Sequence, residues 1–261
     1  MPQKRQTVIT RQVPNYLSLS RPVVARVELL EAGSLTPWHQ HGWWQLSYAL
    51  SGVLGLETAS GSFMAPPQRA IWIPPGTEHT ATNASPTEMR SLYLDASLMT
   101  WAQPRCRVVA ITPLVRELIV AFCALPADYA EESAAGRLVA VLVDQLRELP
   151  EVAFNLPMPE DARLARVCAA LQAAPDDRRT MADWGKEAGL SERTLARLFM
   201  LQTGMSFADW RQRLRLLLAL AALERGERVT RVALDSGYNS PSAFIAAFRR
   251  NFGLTPTAMF G

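Results

Sequence analysis

The chain has 261 residues, 49% of them apolar, with 27 Lys+Arg against 24 Asp+Glu and three histidines. That length suits one large domain or two small ones with separate cores, and the apolar share excludes a disordered chain. The formal net charge of +3 is too small to announce a nucleic-acid binder, and three scattered cysteines without CxxC spacing (Cys106, Cys123, Cys168) exclude a disulfide framework and a cysteine zinc site.

In chain order, the opening segment MPQKRQTVITRQVPNYL lacks the apolar core of a signal peptide. The longest strongly apolar run, Leu216 to Leu223, is far shorter than the ~20 residues a spanning helix needs. A cytoplasmic protein with no membrane partner is expected. Up to about residue 105 the chain reads as strands: β-rich runs at 23–30, 45–50, 53–58, 70–73 and 90–94 alternate with Gly, Pro and Asn punctuation. Many short strands at this spacing predict a sandwich or barrel. Residues 113–149 switch to a helical period, with Leu114, Leu118 and Phe122 on one stripe and Leu138, Leu142, Leu146 and Leu149 on another. The second stripe suits a dimer face and suits packing within the monomer equally. Three prolines in the ten residues 150–159 read as a stiff linker.

Divided there, the charge separates. Residues 1–159 carry 12 Lys+Arg and 13 Asp+Glu, a net of −1; residues 160–261 carry 15 and 11, a net of +4. Of the chain's 27 cations only Lys4 and Lys186 are lysines.

All three histidines fall within one pattern in the first part. His39 and His41 are two apart, so on a strand they share a face. Gln45 follows four residues later, and His79 comes from a separate run. Three imidazoles and one oxygen ligand form a feasible set for a divalent first-row metal. Trp38, Trp43, Trp44 and Trp72 lie around them in sequence; most suit a barrel core, and Trp44 is placed with the pocket.

The last 80 residues contain a two-fold echo. Thr180 with Asp183 opens a short helix that Gly189 ends, and Ser191 caps the next, Glu192–Phe199. After a long helix from about Phe207 to Arg225, a short helix at 230–236 breaks at Gly237. Ser240 then caps a last helix with Pro241 in its first turn. Ser191 and Ser240 are 49 residues apart. Paired helix-turn-helix units are expected, although short capped helices also occur in plain bundles.

The run Val232-Ala-Leu-Asp-Ser-Gly-Tyr238, followed by Ser240-Pro-Ser-Ala-Phe244, Phe248-Arg-Arg250, Phe252-Gly253 and Thr255-Pro256, resembles the DNA-binding domain of the AraC/XylS family of bacterial transcription regulators. Ala188-Gly-Leu-Ser191, Arg193-Thr-Leu195, Arg197-Leu-Phe199 and Arg211 to Arg215 extend the likeness over about 80 residues. Gly185 departs from it, standing where the family usually has Ala. The resemblance implies that positions 193, 196 and 197 of the first recognition helix read bases. Arg193, Ala196 and Arg197 share its outer face, with Ser191 at its cap. In the second unit Ser240, Ser242, Arg249 and Arg250 are the polar candidates. That helix is expected to hold the backbone more than to read bases.

The histidine spacing resembles the two cupin motifs, with Gln45 in place of the usual Glu and Gln68 in place of a glycine. The resemblance implies a small β-barrel sensing a small molecule with His39, His41, Gln45, His79 and Trp44. A metal on the three histidines and Gln45 is one reading; a metal-free polar lining is the other. The expected architecture is α+β and multidomain: a cupin-like effector-sensing barrel at 1–105, a helical connector and dimerisation segment at 106–150, a linker at 151–159, and an all-α double helix-turn-helix domain at 160–261. The expected function is a sequence-specific, effector-modulated transcription regulator, not an enzyme. Its expected partners are double-stranded promoter DNA, a small-molecule effector, a second copy of the chain and, if it activates, RNA polymerase. The alternative is a metal-dependent cupin enzyme fused to a DNA-binding domain.

Overall fold

The computed structural model describes residues 9–13 and 18–261. Most of the N-terminal segment read for a targeting signal lies outside the described residues. The chain divides into two compact units, one formed by residues up to 58 with 63–154, the other by 59–62 with 155–261.

The N-terminal unit is built on two sheets. One carries β1 (Ile9–Thr10), β3 (Ser34–His39), β8 (His79–Asn83), β5 (Leu54–Thr58) and β6 (Gly61–Ala65) in that order. The other runs β11 (Glu151–Val152), β10 (Arg107–Ala110), β7 (Arg69–Ile73), β4 (Trp44–Ser51), β9 (Thr87–Leu94) and β2 (Val23–Leu30). The expected runs all lie on strands. Those at 34–39, 61–65 and 79–83 were not separated in the sequence, because glycine or proline interrupts or flanks them.

Strand β4 sits between β7 and β9, and its side chains alternate between two destinations. Trp44, Leu46 and Tyr48 join a core with Trp72, Leu92 and Leu94, covered by α1 (Pro113–Cys123) and α2 (Ala134–Arg147). Gln45 and Ser47 face a cavity between the sheets. On α1 the buried stripe is Val115, Ile119 and Phe122, and Leu114 is exposed. Thr112 caps the helix and Pro113 opens it, which turns the first residues outward. On α2, Leu142 and Leu146 are buried, and Leu138 and Leu149 pack against the same core. The leucine stripe is therefore spent within the unit.

Strand β10 pairs with β7, and β11 pairs with β10. The sheet thus continues past residue 105 and into the stretch expected to be a linker. The prolines there are compatible with this because they accept where they cannot donate: Pro150 O receives Ala110 N at 2.9 Å, and Pro157 O receives the Trp210 indole at 2.7 Å.

The C-terminal unit holds β12 (Asn155–Pro157), α3 (Ala162–Ala173), α4 (Met181–Glu187), α5 (Glu192–Thr203), α6 (Phe207–Glu224), α7 (Val229–Asp235), α8 (Pro241–Phe252) and α9 (Pro256–Phe260). Helix α6 buries Leu214, Leu216, Leu217, Ala219, Leu220 and Leu223 around most of its girth, as expected of a helix packed on both sides. Arg211 donates to the carbonyls of Asp177 and Arg179, and Arg215 to that of Pro175 at 2.8 Å, which ties the loop before α4 to α6. The cysteines are unpaired. Burial pushes Cys106 and Cys168 up to about 12 and Cys123 to about 11, so these thiols stay protonated. Among the described residues no helix is long and apolar enough to cross a membrane.

Candidate functional site

Two sites emerge, one in each unit. In the C-terminal unit the echo is physical. Thr180 and Asp183 form a reciprocal capping box at the start of α4. Its hydrogen bonds from Thr180 hold the Asp183 carboxyl below its ordinary range. Gly189 has φ +68°, and Leu190 N returns to Gly185 O at 2.8 Å. The second unit repeats this closure with Gly237 at φ +77° and Tyr238 N on Ala233 O at 3.0 Å. The same loop accounts for Gly185: a Cβ there would lie 2.9 Å from Leu190 O.

Ser191 caps α5 by accepting from Thr194 N, and Ser240 caps α8 by accepting from Ala243 N. On α5, Leu195 and Phe199 are buried, Arg193 and Arg197 are exposed, and Ala196 lies half-buried between them. Neither arginine forms an ion pair among the described residues. On α8, Phe244, Phe248 and Phe252 face inward in a chain of ring contacts. Ser242, Ile245, Ala246, Arg249 and Arg250 line one outer surface. Arg250 donates to Gln212 at 2.6 Å, so it is partly committed, while Arg249 stands exposed at the last turn.

In the N-terminal unit the three histidines converge. His39 ends β3, His79 opens β8 and is paired with it in register, and His41 lies in the following loop. A register shift in β3 between Thr36 and His39 re-aims the strand end. The ring centroids of His39 and His79 are 4.2 Å apart and those of His41 and His79 5.1 Å, and one ring nitrogen of each lies within 4.8 Å of the others. In each ring Nδ1 donates to a backbone carbonyl, Pro37 at 2.8 Å, Trp43 at 2.9 Å and Thr77 at 2.8 Å respectively. A carbonyl only accepts, so Nδ1 carries the proton and Nε2 of the neutral ring carries a lone pair. Burial lowers all three pKa values, that of His79 to about 4, which keeps the rings neutral near pH 7. His79 is 1% exposed, and Nε2 of His41 and His79 are buried without a hydrogen-bond partner.

Gln45 lines the same cavity and donates to Ser47 at 2.7 Å. Trp44 does not join them. It lies on the other face of β4, edge-on to Trp72 in the core, because successive strand residues point oppositely. The tryptophan at the site is Trp43, stacked on His41 with 3° between the planes. Arg11 and Arg26 also line the cavity, both paired with Glu28. No local pattern marks them, since they reach the histidines from segments well apart in the chain. Gln68 stands at φ +62° between β6 and β7, so the backbone keeps the left-handed turn for which the cupin motif uses glycine.

Known proteins decide the family. The pattern of the AraC-like ligand binding domain matches residues 21–146, and that of the Helix-turn-helix domain matches residues 184–261. The HTH-type transcriptional regulator NimR of Escherichia coli (strain K12) is 35% identical over 221 residues, covering 85% of this chain and 81% of NimR. The chain belongs to the AraC/XylS family of transcription regulators. The HTH-type transcriptional regulator RipA of Corynebacterium diphtheriae is 32% identical over 127 residues, 49% of this chain and 36% of RipA. The structure of ToxT from Vibrio cholerae aligns at 12% identity and a TM-score of 0.38, covering 91% of this chain and 97% of ToxT. As an AraC/XylS member the chain combines an N-terminal ligand-binding domain with a C-terminal DNA-binding helix-turn-helix domain.

Proposed function

We propose that this regulator binds promoter DNA through two unequal helix-turn-helix units, and that a small molecule held between the N-terminal sheets sets that binding. The observation that carries the reading is the outer face of α5, where Arg193 and Arg197 stand exposed and unpaired on a capped recognition helix. Arginine there pairs bidentately with guanine in the major groove. Ser191 and Ala196 complete the face. On α8 the surface of Ser240, Ser242, Arg249 and Arg250, with apolar Ile245 and Ala246 between them, suits phosphate contact and thymine methyls more than base discrimination.

The effector pocket in this reading comprises His39, His41, Gln45 and His79, with Trp43 where Trp44 was expected. The protein works in the cytoplasm as a homodimer, through a surface other than the Leu138–Leu149 stripe, and contacts RNA polymerase where it activates. Gln45, standing where the cupin motif has its acid, favours sensing over the enzyme alternative. Footprinting on the DNA upstream of its own coding region, with and without metabolite and metal pools, tests the reading. A protected stretch of two half-sites whose strength changes with the pool is expected; protection indifferent to sequence sinks it.

A further inference from the structure

We propose that helix α6 is itself part of the DNA interface: an arginine-lined cleft on it holds a backbone phosphate of the stretch that runs between the two recognition helices, with Arg178 as its free charge. This rests on the DNA-binding reading above and adds a contact that neither recognition helix makes.

The first argument is place. The cleft, open and about 440 Å³ in volume, is lined by Arg178, Ala208, Arg211, Gln212, Arg215 and Tyr238. Arg178 stands two residues ahead of Thr180, the cap of α4, and α4 is the first helix of the first unit. In helix-turn-helix proteins that helix crosses the DNA backbone. Tyr238 lies in the turn of the second unit and sets its ring edge-on to Phe244 of α8, 5.3 Å between centroids. Gln212 accepts from Arg250, which also lines the outer surface of α8. The cleft therefore joins the start of one unit to the recognition helix of the other. Two recognition helices set in successive major-groove segments leave a span of backbone between them, and the surface that joins the two units is the one that span passes.

The second argument is charge. Arg178 is exposed, and its side chain forms no hydrogen bond or ion pair among the described residues. Arg215 uses only its Nε, on Pro175 O at 2.8 Å, and its guanidinium lies against Gly237, whose Cβ would stand 3.6 Å from Nη1. Arg211 is spent on the carbonyls of Asp177 and Arg179, and carbonyls leave its charge uncompensated. Asp177, in the same loop, already pairs with Arg179 at 2.9 Å. Burial, and then the charge of Arg215, hold Arg211 below its ordinary pKa, as expected where cations gather without a matching anion. The planar guanidinium keeps its proton throughout and suits phosphate oxygens. Holding the loop before α4 explains Arg211 and Arg215; it does not explain Arg178, which holds nothing and still stands beside them.

The test uses the full chain and the duplex that it selects most tightly from random-sequence DNA. Ethylation interference, which finds the phosphates whose alkylation blocks binding, should mark a phosphate between the two major-groove segments besides those that flank them. In Arg178→Ala, checked for intact folding by circular dichroism, that mark disappears and the slope of log affinity against log salt falls by about 0.9. Arg178→Lys, which keeps the charge, keeps the slope. Arg225→Ala is the control: Arg225 follows the far end of α6 and pairs with Glu227, and its removal leaves both readouts unchanged. Absence of an interfering phosphate between the segments, or an unchanged slope in Arg178→Ala, overturns the proposal. An equal fall in slope for Arg225→Ala overturns it too, since the effect would then be one of overall charge. Failure of the wild type to select any duplex is a different result: it overturns the DNA-binding reading, and this contact with it.

Discussion

Gly52 shows how a single position can be fixed by two constraints at once. Its φ of +85° lies in the left-handed region, and a Cβ there would fall 2.3 Å from Thr87 Oγ1 and 2.9 Å from Pro86 O. The β4–β5 turn closes against the start of β9, so Gly52→Ala strains the backbone and also pushes on a neighbouring strand. Strain of this kind costs about 1–3 kcal/mol before any clash is added. Gly76, at φ +71°, has open space where its Cβ would stand. Gly76→Ala therefore meets the conformational penalty alone. Thermal unfolding should show Gly52→Ala lowering the melting temperature clearly more than Gly76→Ala; equal shifts would mean that the contact with Thr87 is immaterial. The tryptophans illustrate what sequence cannot resolve at this scale. Trp43 and Trp44 are adjacent and both buried, so hydropathy does not separate them. Only the point where the strand begins separates them: Trp43 lies in the loop with His41 and stacks on it, while Trp44 opens β4 on its core face.

At the scale of elements, the helices after residue 112 were legible as periods, yet what each stripe packs against was not. The Leu138–Leu149 stripe fitted a dimer face and a monomer core equally because both are apolar burials. The structure buries Leu142 completely, among residues of β4, β7, β9 and α1. Leu142→Ala should cost about 2–5 kcal/mol of stability, the range for a fully buried leucine. Chemical denaturation at two protein concentrations checks it. A midpoint that falls with dilution in the wild type but not in the variant would restore the dimer interpretation. The helix-turn-helix elements were legible almost residue by residue because their signals are local: a cap, a left-handed glycine and a second cap within about a dozen residues. The cavity was legible only in part. The histidine spacing marked it, whereas Arg11, Arg26 and Tyr93 reach it from the stretch after β1, from β2 and from β9, and nothing local in the sequence links those segments.

For the molecule as a whole, the informative quantity is how cationic side chains divide between reading sequence and holding phosphate. The +4 of residues 160–261 is carried by 14 arginines and one lysine, and many of these arginines are spent internally. Arg211 and Arg215 hold the loop before α4, Arg179 lies over Trp184 at 3.6 Å, and Arg163 and Arg231 pair with Asp161 and Asp235. The exposed cations on the recognition helices are Arg193, Arg197, Arg249 and Arg250. If α5 reads and α8 holds, two substitutions behave differently. Arg197→Ala removes a base contact, so it should cost about 1–3 kcal/mol on the preferred operator and far less on an operator changed at the contacted guanine. Arg249→Ala removes a phosphate contact. It should weaken specific and random DNA by similar factors and reduce the slope of log affinity against log salt by about 0.9. Binding measured over a salt series, on operator and random duplexes, separates the two. Should Arg249→Ala alter base preference while leaving the salt slope unchanged, the division of labour between the two helices is wrong, and the second unit takes part in reading the sequence.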